Sequence, residues 1–247
     1  MAVIAVYSPK GGVGKTTIAV DLAWRFAACG SYRTLLWDID IQGGAGYLLG
    51  AGSAAMAKDP ALLERPERLR QVIAKTRYQN LSYLGLDRSF RNFSFNLLRL
   101  GPRRRIGEIV RTLRGDFDRI VLDCPPVRDE ISEQIIEASD LMLVPLPASP
   151  LAARALGQVR SDLAERNLSR LPVLPIFSMF DSRRKAHRLA RDGWMAEFPV
   201  IPAASQIEQA AFRRAPAGTI CGNSAPGLAL ARLWRGIEVK LGEMGQA

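Results

Sequence analysis

Two lysines bracket a glycine-rich turn in Lys10-Gly11-Gly12-Val13-Gly14-Lys15-Thr16-Thr17. Glycines let backbone N–H groups curl around an anion, and a helix starting directly behind them adds a favourable dipole. In such a phosphate-binding loop the amides of Gly11 to Thr17 hold a nucleotide's phosphates. Lys15 reaches the β- and γ-phosphates, and the Thr16 hydroxyl binds Mg²⁺. Two carboxylates follow at i and i+2, in Asp38-Ile39-Asp40-Ile41-Gln42-Gly43. That spacing can face a bound Mg²⁺ and an attacking water; it also suits a plain solvated turn. A third acid, Asp123, closes the apolar run Ile120-Val121-Leu122 and precedes Cys124-Pro125-Pro126. An acid closing an apolar run is by itself a common and unspecific signal. The single histidine, His187, lies between Ala186 and Arg188 and reads as a surface residue. There is no Ser–His–Asp or Cys–His set, so nucleophilic hydrolase chemistry is not expected.

The elements that must carry these groups alternate in type. Apolar runs at Val3–Tyr7, Arg33–Asp38, Leu81–Gly85, Arg119–Asp123, Leu141–Pro145, Val173–Phe177 and Val200–Pro202 read as strands. Helical patterns at Thr16–Ala28, Glu67–Thr76, Ile106–Leu113, Glu130–Ala138, Leu151–Asn167 and Arg183–Arg191 separate them. That alternation predicts an α/β fold, a mostly parallel twisted sheet with helices on both faces. Near-continuous apolar strands imply burial on both sides, and ligands in such sheets sit beyond the carboxyl ends of the strands. The stretches 50–66 and 87–105 read as surface excursions. No domain boundary is visible, so residues 1–247 are read as one domain.

The chain has 247 residues, 48% of them hydrophobic, enough for one full core. No run of apolar residues is long enough to cross a membrane. The start MAVIAVYSPK lacks a basic leader and reads as a strand. Cys29, Cys124 and Cys221 are widely spaced, which fits buried thiols in a reducing cytoplasm and no metal site of their own. The net charge is +10, and only six of the 34 basic residues are lysine. A balance this basic invites a polyanion.

The phosphate loop departs from the ordinary pattern G-x-x-x-x-G-K-[ST]. Pro9 occupies the first glycine position and Lys10 opens the glycine run instead. The stretch resembles the deviant Walker A motif, K-G-G-x-G-K-[ST]-[ST], of the ParA/MinD family of P-loop ATPases. Asp38-Ile39-Asp40-Ile41-Gln42-Gly43 is similar to that family's D-x-D-P-Q-G, with Ile41 in place of the proline. Asp123-Cys124-Pro125-Pro126 resembles its Walker B strand with a D-x-P-P continuation. The resemblance implies ATP and Mg²⁺ as cofactors, with Thr16, Asp38 and Asp123 serving the metal. It implies that Asp40 orders water and that Lys10 reaches across an ATP-bound homodimer to the partner's nucleotide. It also brings Met179 and Pro202 forward as base-side candidates, although each is more commonly core or turn. The function implied is slow, partner-stimulated ATP hydrolysis that resets a DNA-bound dimer on the bacterial nucleoid. Such cycling positions a plasmid, a chromosome region or a protein cargo.

Arg183, Arg184, Lys185, Arg188 and Arg191 cluster at helical spacing, Arg213-Arg214 follow, and Arg103-Arg104-Arg105 form another group with Arg111 and Arg114. These are candidates for sequence-independent phosphate contacts to DNA, or solvated faces. Leu230, Leu233, Trp234, Ile237, Leu241 and Met244 form a stripe that suits docking on the sheet, or the membrane grip of a MinD-type positioning ATPase. Docking is the commoner use. A metabolic ligase of the dethiobiotin synthetase type shares the fold but lacks the Lys10-type lysine and the Asp38-x-Asp40-x-Gln42 pattern.

Overall fold

Ala2-Val3-Ile4-Ala5-Val6 is apolar at every position, so it is stable only with both faces covered. The fold places it accordingly. The computed structural model describes residues 1–51, 56–59, 62, 65–87, 89–90, 105–126 and 130–245. Within them nine strands form one sheet: β1 (Ala2–Val6), β2 (Thr34–Asp38), β3 (Met56–Ala57), β4 (Ala74–Lys75), β5 (Leu81–Leu86), β6 (Arg119–Asp123), β7 (Leu141–Leu146), β8 (Val173–Phe180) and β9 (Val200–Pro202). The order is β3-β5-β2-β6-β1-β7-β8-β9. All these pairs are parallel, and β4 adds to β5 antiparallel. The expected mostly parallel α/β sheet is observed.

The helices are α1 (Lys15–Ala28), α2 (Gly44–Leu49), α3 (Arg105–Thr112), α4 (Glu130–Glu137), α5 (Pro150–Glu165), α6 (Lys185–Asp192), α7 (Ser205–Phe212), α8 (Ala217–Cys221) and α9 (Ala225–Glu243). They cover both faces. Alternation along β1 sends Val3 and Ala5 into one apolar layer, with Ile106, Ile135 and Leu156 of α3, α4 and α5. Ala2, Ile4 and Val6 enter the other, with Leu22 and Phe26 of α1 and Leu233 and Ile237 of α9. Local chemistry sets the helix starts: Ser149 caps α5 by accepting from the Ala152 amide, and Pro150 occupies its first turn.

Some expectations are corrected. The segment 67–76 is not an α-helix. A 3-10 helix at Pro66–Val72 ends at an extended Ile73, and β4 follows. The β-branched pair Val72-Ile73 favours the extended exit over a further helical turn. Ala57 and Phe90, within the supposed surface excursions, are fully buried. Much of both excursions lies outside the described residues, as do Arg103 and Arg104. Cys29 is exposed, unlike Cys124 and Cys221.

Candidate functional site

The loop between β1 and α1 sits where the chain order reverses around β1, with β6 on one side and β7 on the other. That switch point is where open α/β sheets hold ligands. Gly12 (φ 71°) and Gly14 (φ 85°) adopt the left-handed conformation that turns the loop back on itself. Gly14 precedes α1 without a side-chain cap, so the first amides of the helix have no intrahelical partner and face the loop. Val13 is buried and anchors the turn. Ser178 of β8 donates its hydroxyl to the Val13 carbonyl at 2.8 Å. A Cβ at residue 14 would come to 3.2 Å from the same hydroxyl.

Lys15 is buried, and its Nζ donates to the Lys10 carbonyl at 3.2 Å across the loop. Burial lowers its pKa, opposed by the charges of Asp123 and Asp40. Lys10 itself is exposed, as are Gly11 and Gly12.

Strand register builds the acidic side. Asp38 and Asp123 are Cα partners at the carboxyl ends of β2 and β6, and both are fully buried. Asp38 Oδ2 accepts the Ala45 amide at 3.0 Å, the Gly46 amide at 3.3 Å and the Tyr83 hydroxyl at 3.2 Å. It thereby caps α2. Its Oδ1 and both oxygens of Asp123 are buried without a hydrogen-bond partner among the described residues. Burial pushes Asp38 up to about 7, with Asp40 adding to the rise and the α2 amides opposing it. Asp123 is raised well above the carboxylate range by burial and by Asp38; Thr16 and Lys15 pull the other way. Three orphaned carboxylate oxygens beside Thr16 and Lys15 are a donor set that fits a hard divalent cation. Asp40 is only half-buried, and its Oδ1 accepts the Gln42 amide at 3.0 Å.

A cleft of about 490 Å³ extends from residues 11–18 past Asp40 and Pro126 to Met179, Ile201, Pro202 and Ala203. Both base-side candidates therefore line it. Met179 is half exposed and holds a left-handed φ of 58°, unusual for a non-glycine residue.

Residue patterns alone did not point to Ser178, Tyr83, or the Ala45 and Gly46 amides. Tyr83 arrives from a strand 45 residues away, paired with Leu36. A Cβ at residue 46 would meet its hydroxyl at 2.5 Å, which explains glycine there. His187 is a correction. It is buried against Phe177 and Phe180, and its Nδ1 accepts the Asp181 amide at 3.0 Å.

The structure leaves Arg183, Arg184, Lys185, Arg188, Arg213 and Arg214 exposed. Arg183 is paired with Asp181 at 2.9 Å, and Arg214 lies over the Tyr47 ring at 4.6 Å. Of the carboxyl-terminal stripe, Leu230, Leu233, Ile237 and Leu241 are buried in the core, so it docks on the sheet.

A family model described as an AAA domain matches residues 1–168. The chromosome partitioning protein ParA of Myxococcus xanthus (strain DK1622) is 30% identical over 201 residues, 77% of this chain and 69% of that protein. The chain belongs to the ParA/MinD family of P-loop ATPases. The family's fold is matched over its full length. MinD of Pyrococcus horikoshii, solved with Mg-ADP, superposes with a TM-score of 0.77 at 20% identity, covering 100% of this chain and 98% of that one. Cobyrinic acid a,c-diamide synthase of Mycobacterium smegmatis superposes equally well, with a TM-score of 0.77 at 22% identity over 99% and 96% of the two chains. The fold alone therefore does not separate ParA/MinD ATPases from ligases, and the weight rests on the loop and its acids.

Proposed function

We propose that this protein is a ParA-like switch: two copies close on two ATP molecules, bind DNA without sequence preference, and separate after hydrolysis. The observation that carries the reading is Lys10. It is exposed at the lip of the phosphate loop, at the position the deviant motif reserves for a cation that serves a second subunit. Ligases of the dethiobiotin synthetase type lack a lysine there.

The chain's own groups divide the work. The loop amides and Lys15 grip the phosphates; withdrawing Nζ from the Lys10 carbonyl frees both for the nucleotide. Thr16, Asp38 Oδ1 and Asp123 would hold Mg²⁺. The metal, once bound, neutralises phosphate charge and aligns the β- and γ-phosphates. Asp40, half-buried at the cleft wall, orients water and accepts its proton at a carboxylate oxygen. Met179 and Pro202 flank the base. Arg183, Arg184, Lys185 and Arg188 at the start of α6 and Arg213 and Arg214 after α7 supply phosphate contacts, with affinity falling steeply as salt rises. A partner protein that completes the water-positioning geometry accelerates turnover, and the DNA-bound form carries a plasmid, chromosome region or protein cargo in the cytoplasm.

Light scattering and hydrolysis assays on Asp40→Ala test this reading. The variant binds ATP, hydrolyses it at least about tenfold more slowly and accumulates as a dimer on random duplex DNA at roughly 50 mM salt. A variant that stays monomeric in saturating ATP would overturn the switch.

A further inference from the structure

A groove of about 470 Å³ lies at the other end of the sheet, between α9 and the first residues of β7, β8 and β9. Leu141, Val173 and Val200 line it, so it is a full strand length away from the nucleotide cleft, which lies past the carboxyl ends. From α9 it receives Arg232, Gly236 and Lys240.

Gly236 is the informative residue. It sits in the interior of a 19-residue helix, where glycine costs about 1 kcal/mol relative to alanine. Crowding usually explains such a glycine. At Gly227 on the same helix a Cβ would strike the Gly222 carbonyl; at Gly236 it would meet no heavy atom within 4 Å. Among the described residues nothing requires glycine there, and the missing side chain keeps the groove open.

The charges around it have one sign. Arg232 and Lys240 lie four residues before and after Gly236 on the same face, about 12 Å apart along the helix axis. Among the described residues no ion pair involves Arg232. Lys240 meets Glu243 at 3.0 Å, an exposed pair of little worth. Among the described residues no acidic residue lines the groove.

We propose that this groove binds a small amphiphilic anion, whose apolar body lies over Gly236 and whose acidic group is held by Arg232 or Lys240. The volume and the apolar lining with few polar groups suit a small molecule rather than a helix.

The test titrates the full chain with 1-anilinonaphthalene-8-sulfonate, an apolar anion that fluoresces when desolvated. Dodecanoate should displace the probe and Mg·ATP should not. Arg232→Gln with Lys240→Gln should weaken binding at least tenfold, and Gly236→Leu should abolish it. Gly236→Ala is the control for folding: it should melt no lower than the natural chain while binding the probe more weakly. Absence of probe binding, displacement by Mg·ATP, or unchanged affinity in these variants overturns the proposal.

Discussion

Asp38 and Asp123 face each other across β2 and β6 as register partners, two buried acids with three oxygens lacking a hydrogen bond between them. Side by side at the dry carboxyl ends of two inner strands, they cannot both ionise cheaply. The arrangement is costly without a cation and becomes favourable with one.

Titration of the nucleotide-free protein should expose that cost. Asp38 moves from its ordinary 3.8 to about 7 on folding, so between those values the native chain retains a proton that the unfolded chain releases. The contribution of Asp38 is fully present below pH 4 and is lost as pH rises through 7. Asp38→Asn removes Asp38's share of the dependence and leaves that of Asp123, which burial also raises. The variant's melting temperature should match the natural chain near pH 4 and exceed it at pH 8, by the equivalent of on the order of 4 kcal/mol. A difference that stays constant across the range would contradict the assignment.

Lys15→Ala should lose nucleotide binding by at least about a hundredfold, ~2.7 kcal/mol, measured by calorimetry with ATP and Mg²⁺. Among the described residues the buried amine hydrogen-bonds only to the Lys10 carbonyl, beside the charges of Asp123 and Asp40, so its removal should leave the fold intact by circular dichroism. An affinity within about threefold of the natural chain would mean that the loop amides suffice.

Ser178→Ala removes the donor to the buried Val13 carbonyl. An unpaired carbonyl there costs about 1–3 kcal/mol. The loop it steadies should bind ATP more weakly, with KM rising more than kcat falls. Equal stability and KM would show that Ser178 only fills space.

Asp21→Ala strands a guanidinium. Asp21 accepts from Arg25 at 2.7 Å and from the Gly218 amide, and Arg25 also donates to the Gly227 carbonyl at 3.3 Å. Taking away the carboxylate leaves Arg25 buried without its counter-charge, so denaturant melts should show a loss of about 3 kcal/mol. A loss under about 1 kcal/mol would mean that Arg25 finds solvent.

The sequence made the path from β1 through the loop to α1 legible because apolar runs, glycines and an amphipathic stretch follow one another without ambiguity. Asp38, Asp40 and Asp123 were legible for a related reason: each follows an apolar strand. What stayed hidden is whatever the register assembles. Neither Tyr83 on Asp38 nor Ser178 on Val13 leaves a local trace, since each contact joins residues far apart in the chain, Tyr83 from the paired strand β5 and Ser178 from β8 to the loop. α2 escaped notice because two of its six residues are glycine, and α8 because it is five residues long. His187 misled because its charged neighbours mark a wet helix face, whereas Phe177 and Phe180 reach it from β8.

The ion pair within α1 reaches further than its own helix. It rivets the residues behind the phosphate loop to α8 and α9, some two hundred positions later in the chain. The closing quarter of the polypeptide is therefore a structural pillar of the very turn that opens it. A clone trimmed to the 168 residues that the family model spans would keep every signature motif and leave their scaffold unsupported.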